Sequence, residues 1–136
     1  MARKKPIMEY TIICDDIREE IGNKLSFIGT YGFNIFVSKI PYMFPKLCFA
    51  ISYNNARGGD SFSVKLINPS GKQLGKTITG SVIKETKGNI KFHIFAVFSP
   101  LNVKEEGEHK LIIICNDNDK WKQEVNFVIK MPKKKE

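Results

Sequence analysis

The stretch IKFHIFAVF, residues 90–98, decides the fold class of this protein. Side chains in an extended strand point alternately to opposite faces, so every second residue shares a face. Lys91 and His93 fall on one face of this stretch. The other face is apolar throughout and carries Ile90, Phe92, Ile94, Ala96 and Phe98. This period-two pattern predicts a β-strand with one face buried in a hydrophobic core.

Similar patterns recur along the chain. Residues 61–67 and 121–129 alternate in the same way, and residues 47–53 form another strand of this kind. Residues 111–115 read LIIIC and are apolar on both faces, which is typical of a central strand. Further strands are expected within residues 7–14, 25–37 and 74–84. Seven to nine short strands separated by Asn-, Gly- and Pro-containing turns predict an all-β, immunoglobulin-like antiparallel β-sandwich.

One short helix is the only exception that the sequence offers. In residues 16–21, Asp16 is a candidate N-cap, Glu19 follows three residues later, and Ile17 and Ile21 are spaced i,i+4. Gly22 is a candidate C-terminal residue for this helix. The pattern predicts at most one and a half helical turns.

The length indicates a single domain. The chain has 136 residues, 42% of them hydrophobic, and ten phenylalanines supply the core. We expect one domain over residues 6–131, with basic tails at residues 1–5 and 132–136. No apolar run approaches the ~18 residues of a transmembrane helix or the length of a secretory signal. The sequence therefore predicts a cytoplasmic protein without a membrane partner.

Residues that carry chemistry are few. The three cysteines, Cys14, Cys48 and Cys115, lie in apolar runs without a CxxC spacing, so they are expected to be reduced core residues. The chain has two histidines, His93 and His109, and no Gly-x-Ser-x-Gly, His-Glu-x-x-His or phosphate-loop motif. We expect a protein that is not an enzyme and that holds no cofactor.

The acidic cluster Asp15, Asp16, Glu19 and Glu20 surrounds Arg18. Paired carboxylates bind hard metal ions or act in acid–base chemistry. The same residues also suit a capped turn with a local ion pair, which requires no ligand. A metal-dependent site at Asp15, Asp16, Glu19 and Glu20 is the second alternative to the function given below.

The two tails carry a net charge of +5 out of the +8 of the whole chain. Their basic residues are Arg3, Lys4, Lys5, Lys133, Lys134 and Lys135. Such tails contact phosphate backbones or other polyanions in a salt-dependent way. Charged termini also serve solubility alone.

Residues 40–45 read IPYMFP and are expected to form a loop. The large apolar side chains of Tyr42, Met43 and Phe44 either form an exposed docking patch or cover the open end of the sandwich. The sequence leaves these two alternatives open.

Residues 14–32, CDDIREEIGNKLSFIGTYG, and residues 44–49, FPKLCF, resemble a family of short bacterial proteins of unknown function. In that family an Asp-Asp-x-Arg-x-Glu stretch leads into Lys-Leu-Ser-x-x-Gly-x-Tyr. The resemblance covers most of the chain and implies a small cytosolic bacterial protein, but it transfers no activity. It directs attention to Asp16, Arg18, Glu19 and Tyr31.

Together these observations predict a non-enzymatic protein-interaction or accessory module. Its candidate contact residues are Tyr42, Met43, Phe44, Asp16, Arg18, Glu19 and Tyr31. A protein partner is expected, or a second copy paired through an edge strand. Binding of nucleic acid or another polyanion through the lysine-rich tails is the first alternative.

Overall fold

The computed structural model describes residues 3–133, which are all-β apart from one turn of 3-10 helix at Asp119–Trp121. In chain order the strands of this range are β1 (Ile7–Glu20), β2 (Lys24–Tyr31), β3 (Asn34–Phe36), β4 (Tyr42–Phe44), β5 (Leu47–Ala56), β6 (Ser61–Ile67), β7 (Gln73–Ser81), β8 (Ile90–Phe98), β9 (Leu101–Val103), β10 (Gly107–Cys115) and β11 (Lys122–Lys130). The predicted β-sandwich is confirmed. The strands exceed the expected seven to nine because β3, β4 and β9, of three residues each, are too short to show an alternation.

Two sheets form the sandwich. The first has the order β2-β1-β5-β8, and the second has the order β3-β11-β10-β6-β7. All neighbours are antiparallel except β3, which runs parallel to β11. Strand β10 lies in the middle of its sheet, as its apolar run predicts.

The core lies between the two sheets and follows from the alternation. Phe62, Val64 and Leu66 of β6 are buried, whereas the residues between them are more exposed. Phe49 of β5 joins the sheets, since its ring lies 5.4 Å from that of Phe127 on β11. Fully burying one such side chain is worth about 1.5–3 kcal/mol.

The prediction of a helix at residues 16–21 is wrong. This segment continues β1, and Ile17 pairs with Phe27 while Glu20 pairs with Lys24. Gly22 (φ 85°) and Asn23 (φ 59°) form the turn that joins β1 to β2. A helix of one and a half turns is marginal in water, whereas the hairpin pairs the backbone groups of both strands.

Residues 40–45 cover one end of the core. Phe44 is buried, and β4 pairs with β9. Tyr42 is half-buried and packs edge-on against Phe44 at 4.8 Å. Met43 alone of these three side chains is well exposed, at 51%. Of the two alternatives left open for Tyr42, Met43 and Phe44, a docking patch or a cover, the burial of Phe44 and the pairing of β4 with β9 favour the cover.

The N-terminal arm, residues 3–6, is docked on the domain. Arg3 forms an ion pair with Asp60, and the Pro6 carbonyl accepts a hydrogen bond from Gln123 at 3.0 Å. Arg3, a candidate polyanion contact in the basic N-terminal tail, therefore has its guanidinium bound by the Asp60 carboxylate. The other candidate polyanion contacts divide as follows: Lys4, Lys5 and Lys133 are exposed, and Lys134 and Lys135 lie outside the described residues.

Candidate interaction site

The hairpin formed by β1 and β2 extends beyond the pairing of β1 with β5. Strand β1 pairs with β5 only as far as Cys14, which lies opposite Cys48. Beyond that point β1 pairs with β2 alone, through to Glu20. The distal half of the hairpin therefore has no other strand beside it within the described part of the chain.

This distal half folds over the outward face of the first sheet. Its tip and strand β8 line one cleft of about 300 Å³. The lining residues are Glu19, Glu20, Asn23, Lys24, Leu25, His93 and Phe95. Because β5 separates β1 from β8, a hairpin tip beside β8 lies across the outward side of β5. That side of β5 carries the small side chains of Cys48, Ala50 and Ser52, all buried.

A hydrogen bond between Tyr31 and Asp15 ties the two hairpin strands together. The Tyr31 hydroxyl donates to the Asp15 carboxylate across the strands. Partial burial and this carboxylate raise the pKa of Tyr31, so its hydroxyl keeps its proton at neutral pH. Gly29 lies beside the pair with φ 66°, and a Cβ at this position would collide with the Asp15 side chain.

Asp16 is held from the opposite side of the strand. Its carboxylate accepts from Lys46 at 3.0 Å and from Arg18 at 3.3 Å. The hydrogen bond from Lys46 is the main reason that the pKa of Asp16 lies below its ordinary value. Lys46 precedes β5, so this ion pair joins the base of the hairpin to the rest of the sheet.

Asp15, Asp16, Glu19 and Glu20, the metal site offered as the second alternative, do not converge on one point. Successive residues of a strand face opposite sides, so Asp15 and Asp16 point apart. Each of these two already has a partner in Tyr31 or Lys46. Across residues 3–133, no group of three His, Cys, Asp or Glu side chains is placed to hold a metal ion.

The hairpin ends in an exposed isoleucine. Ile21 is 97% exposed, more than any other large apolar residue described. The side chains of Glu19, Glu20 and Lys24 around it are also exposed. The tip therefore presents one apolar side chain within a charged rim.

Some of the predicted contact residues lie together on the hairpin, and others lie elsewhere. Asp16, Arg18, Glu19 and Tyr31 all lie on the hairpin, although Asp16 and Tyr31 serve to hold it in place. The residues of β4 do not line the cleft. Sequence reasoning missed Ile21 as a hairpin tip, and the signal was Gly22-Asn23, a residue pair typical of tight hairpin turns.

The fold and the site together define a class, an all-β sandwich domain with an anchored hairpin that lies over the outward face of one sheet. The chain belongs to the family of unknown function DUF6941, whose family model matches residues 9–130. This range includes the hairpin and both sheets, and it confirms the resemblance found in the sequence. No curated protein matches this chain at a significant level. No helix within the described residues has the length and apolar character needed to cross a membrane.

Proposed function

We propose that this protein is a non-enzymatic protein-interaction module and that the tip of the β1–β2 hairpin is its docking element. The observation that carries the proposal is the position of Ile21, 97% exposed at the end of the hairpin. Single exposed apolar residues are common on protein surfaces. Ile21 differs because Gly22 and Asn23 already meet the backbone demands of the turn, so the fold does not require isoleucine there.

Burial of Ile21 in a partner would contribute appreciably to the free energy of binding. Moving an isoleucine side chain from water into an apolar pocket is worth about 1.5–3 kcal/mol. Binding energy in protein interfaces concentrates in a few buried anchors of this kind. The ion pair of Asp16 with Lys46 and the hydrogen bond of Tyr31 with Asp15 hold the hairpin before binding. A pre-organised element loses less conformational entropy when it docks.

Charge complementarity indicates the chemistry of the partner. Glu19 and Glu20 precede Ile21, and the cleft that they line also contains Lys24 and His93. The tip is therefore locally acidic on a chain whose net charge is +8. The matching surface is a protein with an apolar pocket that is rimmed by basic side chains.

The two histidines support a non-enzymatic role. His109 is fully buried, and its Nδ1 donates to the Gly107 carbonyl at 2.9 Å. His93 is exposed, and its Nε2 lies 3.2 Å from the Tyr10 hydroxyl. Neither ring is hydrogen-bonded to a serine or cysteine nucleophile among the described residues.

Capture from a lysate of the source organism tests the proposal with two matched variants. Ile21→Ser removes the tip side chain, and Ile83→Ser removes another exposed isoleucine (72%) outside the hairpin. Both variants are expected to melt within about 2 °C of the wild type, since neither loses buried area. Ile21→Ser alone is expected to lose a protein that mass spectrometry identifies in the wild-type and Ile83→Ser samples.

Treatment of the lysate with nuclease distinguishes docking through the hairpin tip from binding of a polyanion by the basic residues. Capture that survives nuclease and weakens in Glu19→Lys supports docking of the acidic tip on a basic rim. Capture that Ile21→Ser retains would contradict the proposal. Recovery that disappears with nuclease and depends on Lys4 and Lys5 would instead assign the binding to a polyanion on the basic residues.

A further inference from the structure

A second cluster of polar groups lies at the end of the sandwich, around the Asp60 carboxylate. Asp60 precedes β6 and is only 3% exposed. The Arg3 guanidinium donates to both of its carboxylate oxygens, at 2.6 Å and 2.5 Å. The same guanidinium donates to the Asn55 carbonyl at 3.0 Å. Trp121 completes the site, with its ring centroid 5.4 Å from the guanidinium carbon.

The walls of this pocket are held without any contribution from Arg3. The Arg57 backbone N–H donates to Asp60 at 2.8 Å, and the Asn116 side-chain amide donates at 3.0 Å. Asn116 is fixed in turn, because its side-chain oxygen accepts from the Ser61 N–H at 2.8 Å. The carboxylate therefore has a set orientation before a cation arrives.

The buried Asp60 carboxylate requires a cation beside it, and the arrangement of groups around it favours a guanidinium over an ammonium group. Burial by itself would raise the pKa of Asp60, but the hydrogen bonds from Arg3, Asn116 and Arg57 outweigh burial and lower it. A buried carboxylate without a cation is costly. A planar guanidinium bonds both carboxylate oxygens at once while its face rests on an aromatic ring, whereas an ammonium group is a point charge without such a fork.

We propose that the pocket formed by Asp60, Asn55 and Trp121 is a receptor for alkylguanidinium groups, and that Arg3 is its intramolecular ligand. This site is separate from the hairpin and does not depend on the function proposed for it. Arg3 reaches the pocket on the short arm that Gln123 holds at Pro6 and Met8. An arginine from another chain carries the same chemistry, so the source of the guanidinium must be tested as well as its identity.

Chemical rescue tests the recognition. Arg3→Ala is expected to melt about 5 °C or more below the wild type, whereas Lys4→Ala, an exposed neighbour, is expected to be unchanged. N-propylguanidinium at about 50 mM, far below denaturing concentrations, is expected to raise the Tm of Arg3→Ala by about 3 °C. Propylammonium is expected to have no such effect, and neither compound is expected to stabilise the wild type.

Binding is also observable directly in Arg3→Ala. Titration with N-propylguanidinium is expected to shift the NMR signals of the Trp121 indole N–H and the Asn116 side-chain amide. An unchanged Tm for Arg3→Ala would overturn the proposal. Equal effects of the guanidinium and ammonium compounds would overturn it as well, because the pocket would then recognise charge alone.

Light scattering of mixed variants identifies the source of the guanidinium. Arg3→Ala retains the pocket and lacks the ligand, whereas Asp60→Asn retains the arm and lacks the carboxylate. A mixture that stays monomeric at about 50 μM supports filling of the pocket by Arg3 of the same chain. A heterodimer that forms only in the mixture would overturn the intramolecular assignment.

Discussion

Arg3 and Asp60 lie 57 positions apart in the chain and form a two-pronged ion pair at one end of the sandwich. Each outer nitrogen of the guanidinium bonds a different carboxylate oxygen. The Asp60 side chain is almost fully buried beside Arg3, so loss of the guanidinium would leave this carboxylate without its counter-charge. The N-terminal arm is therefore part of the folded structure, and the stability of the domain depends on a residue outside its sheets.

The ion pair makes the effect of Arg3→Ala dependent on pH. Folding lowers the pKa of Asp60 from its ordinary 3.8, so the pair contributes stability above that value and loses it as the pH falls. The Tm difference between the wild type and Arg3→Ala is expected to be full at pH 7 and to narrow as the pH falls through and below the ordinary 3.8. Thermal melts of both proteins between pH 7 and pH 2 measure this Tm difference. A difference that stays constant to pH 2 would show that the arm is held by packing alone.

The hairpin is expected to depend on the glycine at position 29. Gly29→Ala places a Cβ against the Asp15 carboxylate and forces a left-handed backbone on alanine. We expect a loss of at least about 1 kcal/mol in the free energy of unfolding, measured by urea denaturation. Gly32→Ala is the matched control, since no atom lies within 4 Å of its added Cβ and its φ is not left-handed. Equal stability of the two variants would contradict the close approach of Gly29 to Asp15 and its left-handed backbone.

Burial of His109 links stability to pH near neutrality. The imidazole is fully buried and its ring stacks on Phe127 at 5.6 Å, and burial lowers its pKa below the ordinary 6.5. The unfolded chain therefore binds a proton first as the pH falls, and stability is lost below about pH 6.5. We expect a slope of up to about 1.4 kcal/mol per pH unit between pH 6.5 and 5, and a flatter slope in His109→Asn. Identical slopes would mean that the buried ring accepts a proton without cost.

Period-two alternation predicted the central part of the fold because it is a local property of the sequence. Strands β6, β8, β10 and β11 were all expected from the alternation or from an apolar run. The prediction of a helix at residues 16–21 was wrong because this part of β1 has no buried face, and such a strand shows no clear alternation. Its backbone is paired by β2, a partner that the local sequence does not reveal.

The candidate sites depended on contacts between distant residues. No local pattern indicates that Arg3 meets Asp60, or that a hairpin tip reaches His93 on β8. The resemblance directed attention to residues 16–31, the segment that forms most of the hairpin proposed here as the docking element. Its matching residues Asp16 and Tyr31 hold the hairpin, whereas the exposed residue at the tip is Ile21.

The most direct test of the proposed function is site-specific photocrosslinking in cells of the source organism. A benzoylphenylalanine replaces Lys24 beside the hairpin tip, and the matched control replaces Lys84, an exposed lysine outside the hairpin. One defined protein is expected to be trapped from position 24 and none from position 84, and the adduct is expected to be lost when Ile21→Ser is added to the same chain. Absence of an adduct at position 24, or an adduct that Ile21→Ser leaves unchanged, would contradict the proposed function.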